Sequence, residues 1–182
     1  MLQPDMNSGF GFRTLASSEQ AYKPFGYHLG TVWPHDVTMA LYGMHDLRPG
    51  ASAGVMMDLA DAAASYPNDE LPELMGGYAR AFTKEPVPYP VACPDQAWAA
   101  GSMFQALAAN LGLHADGLNN ELLIFKPTIP KKLGYVRLDG FPVGDKRIDL
   151  HFRYDNGNTT VEYNNPDGVK INLVPNESAP TS

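Results

Sequence analysis

Residues 71–98 read LPELMGGYARAFTKEPVPYPVACPDQAW, a carboxylate set in a Pro- and Gly-rich loop that leads into a long apolar run. Pro72, Pro86, Pro88 and Pro90 stiffen the loop, and Gly76-Gly77 lets it turn sharply. Pro94-Asp95 then opens a predicted helix over 94–111, so rich in Ala that it has little polar face. A helix that is apolar nearly all round belongs inside a core.

The chain before this stretch repeats the arrangement. Residues 1–30 are rich in Gly, Ser and Pro and read as loop, with a short helix expected at 17–21 under the caps Ser17 and Ser18. A loop of that length within a compact domain suggests a functional role. Pro34 then suits a first helical turn, and Asp36 lies near the positive end of the helix dipole. Val37, Ala40, Leu41, Met44 and Leu47 recur at helical spacing until Pro49-Gly50 stops the run. A second helix is predicted over 51–65, with Val55, Leu59, Ala62 and Ala63 on one face. Asp58 and Asp61, like Asp69-Glu70, fall on what reads as a solvated side.

After Gly112 the pattern changes from helical spacing to short runs broken by Gly, Pro and Asn. Ile148, Leu150, Phe152 and Tyr154 alternate with Asp149, His151 and Arg153, which describes a half-buried strand. Asn156-Gly157 is a strong hairpin signal, with 159–163 as the returning strand and 169–174 as a third. These three predict a small antiparallel sheet. The expected organisation is a helical domain at 1–114, a β-rich segment at 115–175 packed on it, and a disordered tail at 176–182. The expected class is therefore mainly α with a β-rich C-terminal segment.

Composition narrows the partners. The chain has 182 residues, 44% hydrophobic and 18% charged, so it can bury a core. Its 13 basic and 20 acidic residues give a net charge of -7 without a basic cluster, which argues against nucleic acid. No apolar run approaches the ~20 residues of a membrane span. The single cysteine, Cys93, has no internal partner, and residues 1–7 do not read as a secretory leader, so a cytoplasmic protein is expected. Neither a cofactor nor a metal is expected. His28, His35 and Asp36 are the right residue types for zinc, but Pro34 interrupts any helix that would join the histidines. Cys93 reads as a small buried thiol, with no histidine near it in sequence.

Both loops deliver aromatic and carboxylate side chains, and the first also histidine, to the N-terminal end of an apolar helix. If those helices are inner staves of a helical barrel, the loops meet at one rim. Tyr27, Trp33, Tyr78 and Trp98 then offer aromatic faces for sugar rings, and Arg13, His28, His35 and Asp36 offer hydrogen bonds to hydroxyls. Trp33 and Trp98 read as core residues first and as sugar platforms second. Glycoside hydrolysis with inversion uses two carboxyl groups ~6.5–9.5 Å apart, one as acid and one as base. Glu73 suits the base. It equally suits a helix cap or an ion pair with Arg80.

The motifs PDMNSGFGFRTL at 4–15, YHLGTVWPHD at 27–36, LPEL at 71–74, PYPVAC at 88–93 and QAWAAG at 96–101 resemble the bacterial amylo-alpha-1,6-glucosidase (glycogen debranching enzyme) family. The similarity covers about residues 2–153. It implies an (α/α)6 toroid followed by a short β-rich segment, and hydrolysis with inversion by an acid–base carboxylate pair. Glu73 occupies the place of the family's general base. Arg13, His28, Trp33, His35, Asp36 and Trp98 would line a cleft for an α-glucan oligosaccharide. Leu29 and Val37 stand where the family commonly has Asn, and Phe10 where it has Trp, which removes polar groups from the first loop.

Three long helices would make only part of a toroid, given ~11–12 residues per average helix plus connections. The resemblance therefore implies the C-terminal half of that domain, with the general acid in the other half. On this reading the chain alone is inactive or weakly active. Its partners would be a glucan together with an N-terminal half-domain or a second copy. A carbohydrate-binding module without hydrolysis is the alternative.

Overall fold

A computed structural model describes residues 1–176. They hold helices α1 (Pro34–Leu47), α2 (Pro49–Ala63), α3 (Arg80–Thr83) and α4 (Ala97–Leu111). Strands β1 (Leu113–Asp116), β2 (Glu121–Phe125), β3 (Tyr135–Val143), β4 (Lys146–Asp155), β5 (Asn158–Asn164) and β6 (Lys170–Val174) follow. The chain is about 29% helix and 26% strand. That near parity overturns the mainly α expectation, and the partial toroid with it.

The described residues pack as two compact units, one of Met1–Gly43 with Gly54–Leu107 and the other of Met44–Ala53 with residues 108–176. In the first unit the two loops lie side by side. Arg13 bridges to Val32, Val32 to Met75, and Met75 to Pro88, each antiparallel. Val32 and Met75 exchange both backbone hydrogen bonds at 2.9 Å. Phe10, Val32, Leu59, Leu71, Leu74 and Met75 are buried there. Gly77 sits at the tightest approach: a Cβ on it would lie 1.7 Å from the Gly30 carbonyl oxygen, so only glycine fits.

Helix α2 begins at Pro49, where the sequence suggested a stop. Proline gives up only an N–H that a first turn leaves unbonded, so it opens this helix as well as it ends the one before. Val55, Leu59, Ala62 and Ala63 form its buried face as expected. Asp58 and Asp61 do not form a free solvated face, because Arg80 pairs with both, at 3.6 and 3.0 Å. Residues 17–21 form turns rather than a helix.

Helix α4 starts at Ala97, and it is not internal all round. Ala99, Ser102, Ala106 and Ala109 make one buried stripe, while Trp98 and Phe104 are 50% and 79% exposed. Small residues at that spacing let one side pack closely and leave the other side outside.

The second unit carries two three-stranded sheets. In one, β4 pairs antiparallel with β3 and β5, and Ile148, Leu150 and Phe152 point inward as the alternation predicts. Asn156 and Gly157 turn the β4–β5 hairpin, both with positive φ. Strand β6 departs from expectation: it pairs parallel with β2 in the other sheet, beside the β1–β2 hairpin. Strand β3 escapes pattern reading because Gly140 interrupts it. The register slips between Leu138 and Phe141, and Asp149 Oδ1 accepts the Gly140 N–H at 2.8 Å. Of the expected tail, residues 177–182 lie outside the described residues, whereas Asn176 Nδ2 donates to Thr128 Oγ1 at 3.2 Å. No helix among the described residues is long and apolar enough to cross a membrane.

Candidate functional site

The LPEL stretch buries Leu71, Leu74 and Met75 and leaves Glu73 half-buried. The apolar neighbours anchor the loop, and Glu73 is held at its surface by three hydrogen bonds, two of them to the carboxylate. Glu73 N–H donates to the Cys93 carbonyl at 3.0 Å, and Cys93 N–H donates back to Glu73 Oε2 at 3.1 Å. Tyr27 Oη donates to Glu73 Oε1 at 2.8 Å. This hydrogen bond, with the carboxylate's charge, holds the Tyr27 phenol above its ordinary range, because losing its proton would set two anions together.

Aromatic rings surround that pair. Tyr27 lies edge-on to His28 and Trp33, with centroids at 4.6 and 4.8 Å, and tilted to Tyr89 at 6.0 Å. His28 stacks on Trp33 at 5.3 Å. Trp33 itself is buried, and its Nε1 donates to Thr31 Oγ1 at 3.0 Å and to the Tyr27 carbonyl at 3.1 Å. Trp33 therefore supports the tray from beneath, and Tyr27 and His28 form its upper surface.

His35, Asp36 and Trp98 make a second group. His35 stacks on the half-exposed Trp98 ring at 5.1 Å, and its Nδ1 lies 3.5 Å from Asp36 Oδ1. Arg13 belongs to neither group. It is buried, with Nε donating to the Gly77 carbonyl at 2.6 Å and Nη1 to those of Pro4 and Asp5. In this position it braces the two loops. Arg80, the other suggested partner of Glu73, is occupied by Asp58 and Asp61 and lies over the Phe10 ring.

No family model matches this chain, and no curated protein does either. What the site can do follows from its chemistry. A carboxylate with one donor on each oxygen keeps a free lone pair on each, so it can still take a proton from water or a hydroxyl. Flanking aromatic edges and faces suit the C–H-rich faces of pyranose rings. Among the described residues, no group of three His, Cys, Asp or Glu side chains is placed to hold a metal ion.

Sequence reasoning missed Tyr27 as the partner of Glu73, and missed Tyr89 and the Cys93 amide; it also expected a buried Cys93 thiol, which is exposed. Tyr27 and Glu73 are 46 residues apart. The only signal was indirect: Pro88-Tyr89-Pro90 allows the chain few conformations and so fixes where Tyr89 can sit.

Proposed function

We propose that the first unit binds an α-glucan oligosaccharide over the Tyr27–His28 tray, and that Glu73 is the base carboxylate of a debranching-type, inverting glycoside hydrolysis. The observation that carries this is the Glu73 carboxylate, oriented by the Tyr27 hydroxyl and the Cys93 amide within an aromatic setting. A base needs a fixed direction for its lone pair and water within reach, and a half-buried, doubly anchored carboxylate supplies both. The resemblance of the five motifs to the debranching family supports the same reading. Glu73 is one carboxylate of the two that inversion needs, so this chain alone binds glucan and turns it over weakly or not at all.

Sugar binding without hydrolysis is the second reading. It is favoured by the donors already present on both Glu73 oxygens, which occupy one lone pair on each and tie the carboxylate into the loop.

Glucose release from a branched dextrin, measured beside calorimetric binding of isomaltose, separates the two. Turnover that disappears in Glu73→Gln while binding remains supports the base role. Binding without turnover supports the second reading. Absence of isomaltose binding in the unaltered protein removes both.

A further inference from the structure

We propose that the solvent face of the β3–β4–β5 sheet, in the second unit, is a carbohydrate site that takes one glucose unit of an α-glucan by its ring hydroxyls. The strand register builds it. Tyr135, Arg153 and Thr160 stand abreast on β3, β4 and β5, and Arg137, His151 and Glu162 stand abreast in the next row. Leu150 and Phe152 alternate with these positions on β4 and are buried, so both rows face outward. Neighbouring strands lie ~4.8 Å apart and alternate residues ~6.8 Å apart, so the six side chains rise from a patch of ~10 by ~7 Å. A hollow of about 180 Å³ lies over them, a size suited to a single pyranose.

The adjoining row of the same face is closed on itself. There Asp149 accepts from the Gly140 N–H at 2.8 Å and from Asn164 Nδ2 at 3.1 Å. Asp139 takes Arg137 Nε at 2.6 Å, which fixes that guanidinium by one nitrogen. In the hollow the polar groups are left open instead. The side chains of Arg153, His151 and Glu162 and the Tyr135 hydroxyl form no hydrogen bond among the described residues, although His151 stands directly opposite Glu162.

The charges choose the ligand. Asp139 offsets Arg137 and Glu162 offsets Arg153, so with His151 neutral the hollow carries no net charge. An anion would meet Glu162 on a protein of net charge -7, and a cation would meet two guanidinium groups. A hydroxyl both donates and accepts, and here guanidinium donors stand beside an acceptor-only carboxylate. Vicinal hydroxyls of a hexose match that arrangement: their oxygens accept from Arg153, and their protons go to Glu162. Tyr135, 61% exposed at one corner, offers its ring to the C–H face of the sugar. The choice of glucose rests on the function proposed above, whereas the hollow itself is independent of Glu73.

Histidine ring NMR of the full chain during an isomaltose titration reads both sites at once, because His151 reports the hollow and His28 the Tyr27 tray. A saturable shift of the His151 signals is expected. The dissociation constant read from it should rise at least about tenfold in Arg153→Met and in Glu162→Gln, since each loses charged hydrogen bonds to the sugar. Both side chains are exposed, so the variants should fold. A shift at His28 with His151 silent overturns this proposal and leaves the first-unit function standing. A shift at His151 with His28 silent does the reverse, and silence at both removes both. A His151 shift produced by inorganic phosphate and not by isomaltose, or one indifferent to both variants, also overturns the proposal.

Discussion

Tyr27 and Glu73 share a 2.8 Å hydrogen bond across 46 residues of sequence, and it joins the first loop to the second. The phenol is held above its ordinary 10.0 chiefly by this bond, and further by the carboxylate's charge. Burial raises Tyr42 and Tyr66 as well, so a residue-resolved NMR titration should show Tyr27 as one of three late tyrosines, and Glu73→Gln should return Tyr27 alone towards 10.0. The raised value means that the folded state keeps a proton the unfolded chain loses. The associated stability is complete below pH 10 and declines as pH rises through the folded value.

His45 sets the opposite limit. It is buried, its Nε2 lies 3.0 Å from the Phe125 carbonyl oxygen, and its Nδ1 has no partner. Burial lowers its pKa below 6.5, outweighing the bond to Phe125, which raises it. The unfolded chain then binds a proton that the folded chain refuses. Stability is complete above pH 6.5 and falls as pH drops towards the folded value. Urea midpoints should decrease between pH 7.5 and 5.5 by ordinary linkage, and less so in His45→Gln.

Arg80 moderates Asp58. Burial raises the Asp58 pKa, and the Arg80 guanidinium opposes that rise. Arg80→Met should therefore push it higher, which carbon-detected NMR titration of the side-chain carboxyl would register. Because the folded state holds that proton more tightly, acid should favour this variant more than the unaltered protein. An unchanged Asp58 titration would contradict the pairing.

Gly77→Ala should disrupt the rim, since its Cβ would fall on the Gly30 carbonyl. A loss of about 3 kcal/mol or more is expected in chemical denaturation, as for severe overpacking. Tyr27 and Glu73 lie on the two segments forced apart, so the late titration of Tyr27 should vanish as well.

Leu59→Ala should cost ~2–5 kcal/mol, because the side chain is fully buried in α2 and leaves a cavity. Phe82→Ala, at an almost bare position of α3, should change stability by less than ~0.5 kcal/mol. Paired melts of the two variants check this ordering.

Helical spacing made α1 and α2 legible to within two residues, and strict alternation with Asn-Gly made the β4–β5 hairpin legible too. These elements carry their own period, so local sequence suffices. Strands β1, β2 and β3 and the parallel seat of β6 were not legible. The partner of β6 is remote, β1 and β2 are too short to show a clear alternation, and Gly140 masks β3 with a bulge. In the site, Glu73 stood out as a carboxylate among buried neighbours and Trp33 is buried as its core reading expected, but the role of Arg13 was not legible. A guanidinium looks alike in sequence whether it faces a ligand or holds two backbones together.

By itself, then, the sequence determined the two hairpin strands, the helical segments, the uncharged character of α4 and the placing of Glu73 in a stiff loop. Each depends on residues within a few positions of one another. Tertiary structure alone decided that Tyr27 and the Cys93 amide orient Glu73, that Arg13 is a brace, and that one side of α4 stays bare. Those outcomes depend on which distant groups meet, and backbone carbonyls and aromatic edges leave no periodic trace in the chain.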